Sequence, residues 1–224
     1  MGNLFIVATP IGNLEDITLR AIDVLKNVDL ILCEDTRKTK ILLDHYQIKT
    51  ATLSYHQHSK LQKIEDITNL LKLGRNLALV SDAGTPGISD PGNILIQKTT
   101  ELLDNSVKII AIPGASAVTA IASISGFSTD KFLFLGFLPI KNKRKKIFEE
   151  ISKSQYPVIF YESPYRIIKT LKELCFFCAN QEIVVCRELT KKFEQVFRGK
   201  IEKVIEEIEK SPMKGEFTVV VKNK

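Results

Sequence analysis

The first half of the chain alternates between two hydrophobic patterns. Short runs of almost uninterrupted apolar residues are typical of buried strands, and longer segments with an apolar residue every three or four positions are typical of helices. The predicted strands cover residues 4–8, 29–33, 51–55, 76–81 and 107–112. The predicted helices between them cover residues 17–27, 36–46, 60–73 and 90–104. This alternation, with strands that are apolar on both faces, predicts a largely parallel sheet covered by helices on both sides.

The pattern becomes mixed after Pro113 and Gly114. The predicted helices here cover residues 115–125, 143–153, 163–177 and 201–209. The predicted strands cover residues 131–139, 157–162, 182–189, 194–200 and 215–222. A short polar turn separates the third of these strands from the fourth, which predicts an antiparallel hairpin. We therefore predict an α/β protein of two α/β domains, with a parallel sheet in residues 1–112 and a mixed arrangement in residues 113–224.

Composition narrows the class of protein. Hydrophobic residues make up 44% of the chain and charged residues 26%, which is typical of globular proteins. No apolar run is long enough to span a bilayer, and the N-terminus lacks the basic region of a signal peptide, so we expect a cytoplasmic protein with no membrane contact. The four cysteines include only one close pair, Cys175 and Cys178, and a structural zinc site needs four ligands. We therefore predict no metal.

Charge divides unevenly between the two halves. Residues 1–112 hold 12 Lys and Arg against 13 Asp and Glu, a net charge of −1, whereas residues 113–224 hold 20 against 13, a net charge of +7. This asymmetry indicates an anionic partner that meets the second half. The densest cluster is KNKRKK at residues 141–146. A solvated helix face is the alternative interpretation of that run.

Four segments rich in small residues and proline follow predicted strands. They are residues 9–14, 81–92, 113–117 and 162–166. Ligands of open α/β sheets bind beyond the carboxyl ends of strands, and small residues let the backbone approach a ligand closely. Each segment alone could be a plain turn, but four together indicate a site. The P-loop and GxGxxG signatures are both absent, which favours a ligand without phosphate, such as an adenosine that carries an amino acid.

Polar residues lie at the end of the second predicted strand. Residues 33–37, CEDTR, bring Glu34 and Asp35 together with Arg37. The plain interpretation is a helix cap by Asp35 and a surface ion pair with Arg37. The functional interpretation is a polar cluster at the same sheet edge as the small-residue loops.

Two further polar segments are less specific. Residues 54–58, SYHQH, hold two histidines without a third metal ligand at a suitable spacing, so we expect contacts of His56 with RNA bases or phosphates, or no role. Residues 187–192, RELTKK, form either a polar turn or an RNA contact.

Seven motifs occur in order over residues 4–221. They are TPIGNLEDIT at 9–18, CEDTR at 33–37, SDAGTPGISDPG at 81–92, PGASA at 113–117, ESPYR at 162–166, RELTK at 187–191 and GEF at 215–217. Together they resemble the ribosomal RNA small subunit methyltransferase I family, a branch of the tetrapyrrole methylase superfamily. The resemblance implies a homodimer of two-domain α/β chains with S-adenosylmethionine in the cleft between the domains. It also implies methyl transfer to the 2′-hydroxyl of a cytidine ribose in the decoding region of 16S rRNA.

The resemblance also implies roles for particular residues. The residues it implies in cofactor binding are Pro10, Ala83, Gly84, Thr85, Ile88, Ser116, Ala117, Glu162 and Leu189. Thr85 stands where many members of the superfamily have Asp, which argues against a tetrapyrrole substrate. Many members of the rRNA branch continue past the last strand with a small extra domain, whereas this chain stops at Lys224. We therefore expect the RNA contacts of that domain to be missing here or to be replaced by the cluster at 141–146.

A ribose hydroxyl is a weak acid, so a general base would assist the transfer. The candidates for the catalytic group are Glu34, Asp35, Arg37, Glu162 and Glu188, or else Lys191 with a lowered pKa. The candidates for RNA binding are Arg37, His56, Lys141, Lys143, Arg144, Lys145, Lys146, Arg166 and Arg187. Two alternatives stay open: a tetrapyrrole C-methyltransferase, and a catalytically silent RNA-binding assembly factor on the same fold.

Overall fold

The computed structural model describes residues 1–56, 61–90, 92–104 and 106–222. It divides into two compact units, Met1–Ser116 and Ala117–Lys224. Within the described residues, no helix has both the length and the apolar character that a membrane crossing requires.

The first unit is built on a five-stranded parallel sheet. Its strands are β1 (Asn3–Val7), β2 (Leu30–Cys33), β3 (Thr52–Ser54), β4 (Leu77–Leu79) and β5 (Lys108–Ile112). Their order across the sheet is β3-β2-β4-β1-β5, and every neighbouring pair is parallel. The predicted parallel sheet is thus confirmed. Because β4, β1 and β5 are adjacent, the loops that follow these three strands leave the same edge of the sheet.

Helices cover both faces of this sheet. They are a 3-10 helix (Leu14–Asp16), α1 (Leu19–Asn27), α2 (Thr36–His45), α3 (Leu61–Lys72) and α4 (Gly92–Leu102). Side chains alternate along β1, so that Leu4 packs with α3 and α4 while Val7 packs with α1 and α2. The Thr18 hydroxyl accepts a hydrogen bond from Ala21 N at 3.1 Å and so begins α1.

The second unit is built on a mixed sheet. Its strands are β6 (Leu133–Phe137), β7 (Val158–Glu162), β8 (Glu182–Arg187), β9 (Gln195–Lys200) and β10 (Phe217–Val221), and its helices are α5 (Ala117–Ser125), α6 (Arg144–Lys153), α7 (Ile167–Cys178) and α8 (Ile201–Glu209). The sheet order is β6-β7-β10-β8-β9, in which only β6 and β7 are parallel. Strands β8 and β9 form the predicted antiparallel hairpin.

The core of the second unit lies between one face of its sheet and helices α6, α7 and α8. Phe148 and Leu171 from the helices meet Phe160 and Val219 from the strands there. Helix α5 packs against β7, β8 and β10. Burial of these large apolar side chains supplies most of the driving force for folding.

Candidate active site

Three of the predicted small-residue segments meet at one edge of the parallel sheet. Thr9 N donates to Gly84 O at 2.9 Å and Gly84 N donates to Thr9 O at 3.0 Å, so the loops after β1 and β4 form a single antiparallel bridge. The Thr85 hydroxyl donates to Ala115 O at 3.1 Å, which ties in the loop after β5. The three loops therefore form one connected rim.

Glycine is required at two points of this rim. Gly84 has a φ of +81°, a conformation that costs other residues about 1–2 kcal/mol. A Cβ atom at Gly84 would also lie 3.3 Å from Ile11 Cγ2. At Gly114, a Cβ atom would lie 3.0 Å from the Cβ of Ala8. These glycines thus let the loops approach one another closely.

Short polar side chains complete the loop after β4. The Ser81 hydroxyl donates to Ala83 O at 3.3 Å. The Asp90 carboxylate accepts hydrogen bonds from Gly87 N at 2.6 Å and Gly92 N at 2.8 Å, so Asp90 holds the start of α4. Pro91, predicted as the first helical residue, lies outside the described residues. Ala83 and Ile88 stay exposed on the rim.

The acidic residues at the end of β2 join the same rim. The Asp82 carboxylate accepts from Asp35 N at 3.1 Å and from Lys38 Nζ at 2.6 Å, which ties the loop after β2 to the loop after β4. Asp35 caps α2 through Arg37 N at 2.9 Å. Its carboxylate also binds the Arg37 guanidinium through two bonds of 3.0 and 2.8 Å. The predicted cap and ion pair are therefore present.

The two predicted carboxylates have opposite pKa shifts. The Arg37 guanidinium holds the pKa of Asp35 well below its usual range, so Asp35 is a weak base. Burial raises the pKa of Glu34, and the negative charges of Asp82 and Asp90 raise it further. Glu34 is therefore the stronger proton acceptor of the pair. Its backbone carbonyl accepts from the Ser54 hydroxyl at 3.2 Å, which fixes the chain at this point.

His56 follows β3 at this edge, directly after the buried Tyr55, and its side chain is exposed. The preceding residue is fixed, because Tyr55 N donates a hydrogen bond to Cys33 O at 2.7 Å. His58, the second histidine of the segment, lies outside the described residues. The role of His56 in RNA binding stays a prediction.

In the second unit, Glu162 is the centre of a buried polar network. Its side chain is 0% exposed, and its Oε1 lies 2.8 Å from Arg166 Nε. Oε2 accepts from Arg166 Nη2 at 2.9 Å and from the Thr170 hydroxyl at 2.7 Å. Ser163 N donates to Oε1 at 2.8 Å. The carboxylate is thus fully used by neighbouring groups of the same unit.

Arg144 extends this network. Its Nη2 donates to the Thr170 hydroxyl at 2.6 Å and its Nη1 donates to Pro139 O at 2.9 Å. Its Nε pairs with Glu173. Arg166 Nη2 likewise donates to Leu138 O at 2.6 Å. Arg144 and Arg166, both predicted to bind RNA, therefore bind carbonyl and acidic groups of their own unit and fix the segment that enters α6.

The other cations of the KNKRKK cluster point outward. Lys141, Lys143, Lys145 and Lys146 are exposed. Lys143 precedes α6 with a φ of +65°. The six residues form one run in the sequence, whereas the structure separates the inward Arg144 from four outward lysines.

A second polar group lies at the end of β8. Arg187 is buried and donates to Lys214 O at 2.7 Å and Gln195 Oε1 at 2.6 Å. Glu188 Oε1 accepts from Lys191 Nζ and from Glu216 N, both at 2.9 Å. Leu189, which follows Glu188 in the sequence, is buried. Gly215, the first residue of the GEF motif, has a φ of +94°, and a Cβ atom there would lie 2.4 Å from Glu188 Cγ.

The pKa of Lys191 argues against its role as a base. Burial acts to lower this pKa, but the bonds to Glu188 and Glu216 outweigh burial and raise it. The hypothesis of a lowered pKa at Lys191 is therefore wrong. Burial acts to raise the pKa of Glu188, yet the bonds from Lys191 and Glu216 N lower it overall. Both groups stay charged at neutral pH.

Metal ligands do not cluster anywhere in the part of the chain that the structure describes. Cys33, Cys178 and Cys186 are buried free thiols, and Cys175 is partly buried. Burial raises the pKa of Cys178 to about 11 and that of Cys186 to about 12. These thiols are therefore protonated and unreactive.

Comparison with known proteins identifies relatives of the whole chain. A model of the tetrapyrrole (corrin/porphyrin) methylases matches residues 3–205. A Thermotoga maritima protein named ribosomal RNA small subunit methyltransferase I is 43% identical over 224 residues, which is 100% of each chain. Proteins of the same name from Streptococcus pyogenes serotype M1 and Synechocystis are 45% and 44% identical. The alignments cover 98% and 99% of this chain, and 76% and 79% of the length of those two proteins.

Solved structures share the fold at low identity. The methyltransferase CobJ superposes with a TM-score of 0.73 at 17% identity, over 100% of this chain and 95% of that chain. A uroporphyrin-III C-methyltransferase from Thermus thermophilus has a TM-score of 0.66 at 16% identity, over 98% and 94%. At these identities the likeness shows the fold alone.

Proposed function

The chain belongs to the tetrapyrrole methylase family, and on that premise we propose that it is an S-adenosylmethionine-dependent methyltransferase of small-subunit ribosomal RNA. The observation that carries this proposal is the 43–45% identity, over at least 98% of the chain, to proteins named ribosomal RNA small subunit methyltransferase I. The seven ordered motifs support the same assignment. We further propose the 2′-hydroxyl of a cytidine ribose in the decoding region of 16S rRNA as the methyl acceptor.

The rim of the first unit has the features that S-adenosylmethionine needs. It is made of backbone and small side chains, and the positive-φ Gly84 lets the backbone come close to a ligand without a Cβ atom. The residues that would hold the cofactor there are Pro10, Ala83, Gly84, Thr85, Ile88 and Ser116. When bound, the sulfonium supplies an electrophilic methyl group. The protein's task is then to orient the acceptor and to handle one proton.

Glu34 is our candidate for the group that accepts this proton. Methyl transfer to a hydroxyl releases its proton, and a carboxylate with a raised pKa accepts a proton more readily than one with a lowered pKa. Of the predicted carboxylates, Asp35 and Glu188 have lowered pKa values. The Glu162 carboxylate is already used by Arg166 and Thr170. Glu34 remains as the carboxylate with both a raised pKa and a place on the loop rim.

The remaining assignments belong to the same proposal. Ala117, Glu162 and Leu189 stay cofactor-binding predictions, with Glu162 in a role that positions its neighbours. Lys141, Lys143, Lys145 and Lys146 are proposed to contact RNA phosphates, since they are exposed cations. We propose that the chain acts as a homodimer in the cytoplasm.

One assay tests the proposal. The protein is incubated with labelled S-adenosylmethionine and small ribosomal subunits that lack the modification, and the labelled nucleotide is mapped. We expect label on one 2′-O-methylated cytidine. Label on a tetrapyrrole offered in parallel, with none on RNA, would show a tetrapyrrole methyltransferase. Cofactor and RNA binding without any transfer would show a silent assembly factor.

A further inference from the structure

An aromatic groove lies between α6 and α7 in the second unit. Its lining residues are Arg144, Lys145, Phe148, Glu173, Phe176 and Phe177. Phe176 is 86% exposed, although it is a large apolar side chain on a regular helix. Its ring meets Phe177 edge-on with the centroids 5.4 Å apart, and Phe177 stacks on the buried Phe148 at 5.8 Å. Phe176 is therefore the outermost ring of a row whose inner end is fixed in the core.

The edge of this groove is positively charged. Glu173, the one acidic residue among the lining residues, is neutralised by Arg144. The Lys145 side chain is 81% exposed and lies 3.9 Å from Glu149, a distance at which an exposed ion pair contributes little. Within the described ranges, Lys141, Lys143 and Lys146 form no ion pair. Lys145, whose ion pair is weak, thus lines the groove together with the exposed ring of Phe176.

An exposed ring beside an exposed lysine matches the two chemical parts of an unpaired nucleotide. A base has a π face that stacks on an aromatic side chain, and the phosphate next to it needs a cation. We propose that the aromatic groove binds single-stranded RNA, with Phe176 stacked on an unpaired base and Lys145 against an adjacent phosphate. Stacking uses only the face of the base, so the contact carries no strong sequence preference.

The buried network beneath the groove supports a preformed contact. Arg144 binds Pro139 O and Thr170, and thereby joins the start of α6 to α7. Arg144 also lies 5.0 Å from the centroid of the Phe148 ring. The spacing between Lys145 on α6 and Phe176 on α7 is therefore held by bonds that do not involve RNA. This inference rests on the proposed function, since it assigns a further contact with the same RNA substrate.

The test measures RNA affinity by fluorescence anisotropy, with a labelled single-stranded oligoribonucleotide and the same sequence annealed as a duplex. Phe176→Ala should weaken single-strand binding about tenfold, as expected for the loss of one stacked base. Phe176→Trp should retain the affinity, because the stacking face remains. The slope of log affinity against log salt is negative, and Lys145→Ala should make it less steep by about 0.7, the loss of one phosphate contact. Leu19→Ala is the matched control, because Leu19 is an 85% exposed apolar residue of the first unit.

Kinetics separate this inference from the proposed function. Phe176→Ala should raise the KM for small subunits about tenfold and leave kcat and S-adenosylmethionine affinity unchanged. If the Phe176→Ala variant is active and has the wild-type KM for small subunits, the groove contact is overturned and the proposed function is intact. If Phe176→Ala weakens single-strand and duplex binding equally, the groove contact is also overturned. If Phe176→Ala changes the oligomeric state, the groove binds a second copy of the chain instead of RNA. A wild-type protein that methylates no RNA would overturn both.

Discussion

The loops that follow strands are held in different ways in the two units. In the first unit the rim around Thr9 and Gly84 is held by backbone bonds, short hydroxyls and positive-φ glycine, and its charges stay partly exposed. In the second unit the ESPYR segment is held by the buried carboxylate of Glu162 and by two guanidinium groups. Both begin as a strand followed by a polar, proline-containing turn. The first construction uses backbone atoms and small side chains, whereas the second places a large charged side chain against the backbone.

This difference has an energetic meaning. A loop of small residues can bring backbone atoms close to a ligand at little cost in desolvation. A buried carboxylate has a large desolvation cost, which only a complete set of partners offsets. The Glu162 network therefore suits a part of the molecule that must not move, such as the segment that leads into α6. The following predictions test this contrast, in order of their effect on the free energy of unfolding.

Removal of the buried carboxylate should have the largest effect. Glu162→Ala leaves Arg166 partly buried without its ion pair and leaves the Thr170 hydroxyl without its acceptor. We expect a loss of about 3 kcal/mol in the free energy of unfolding, measured by urea denaturation, because unpaired buried charges are costly.

Glu182→Ala is the matched control for that prediction. Glu182 pairs with Lys222 at 2.9 Å, but both side chains are about half exposed. We expect this variant to lose no more than about 0.5 kcal/mol. Equal losses in the two variants would show that the Glu162 network is no more than a surface ion pair, and the contrast between the units would fail.

A methyl group on the rim should have the next largest effect. Gly84→Ala places a side chain at a φ of +81° and a Cβ atom 3.3 Å from Ile11 Cγ2. We expect a loss of about 2 kcal/mol in stability and about a tenfold weaker binding of S-adenosylmethionine, measured by calorimetry.

Gly74→Ala is the matched control, because it has the cost of a positive φ without the close contact of the new Cβ atom. Gly74 ends α3 with a φ of +85°, and a Cβ atom there would meet nothing within 4 Å. It should lose about 1 kcal/mol and keep its cofactor affinity. If both glycine variants bind the cofactor as the wild type does, the rim of the first unit is a plain set of turns.

Most of the fold can be predicted from the spacing of apolar residues, because the strands and helices of this chain are short, regular and well separated. Helix starts are less predictable. The pattern predicts a helix from residue 163, yet α7 begins at Ile167, because Ser163 O first accepts from Arg166 N and Ile167 N in a turn. The common sheet edge of the loops at 9–14 and 81–92 follows from the parallel sheet, which sequence also predicts.

The partners of charged residues could not be predicted, because they depend on which distant segment lies nearby. Nothing in KNKRKK distinguishes the inward Arg144 from its neighbours, since its partner Thr170 lies 26 positions away. Glycine is needed at position 215 for its φ of +94° and also because the Glu188 side chain, from another segment, packs against it. The raised pKa of Glu34 likewise depends on burial by the surrounding segments and on the charges of Asp82 and Asp90 from another loop.

Apart from the control variants, the smallest effect on stability should come from Glu34→Gln, and it should be a gain. The folded-state pKa of Glu34 is raised above its ordinary value of 4.5, so the unfolded chain releases this proton more readily. Ionisation of Glu34 therefore destabilises the folded protein as the pH rises from below 4.5 through the raised pKa. Glu34→Gln should be more stable than the wild type at pH 8, by no more than about 1 kcal/mol because solvent screens this partly exposed group, and equal to it at pH 3.

The same substitution tests the rim as a catalytic site, because Gln cannot accept the proton. We expect kcat to fall about 10²-fold with unchanged cofactor affinity. Asp35→Asn is the control of opposite sign: Arg37 lowers the pKa of Asp35, so this variant should lose stability above the ordinary carboxylate pKa and match the wild type in acid. If Glu34→Gln gains stability but keeps full kcat, Glu34 is a strained carboxylate of the rim rather than the proton acceptor. The rim of the first unit would then serve only to position the substrates.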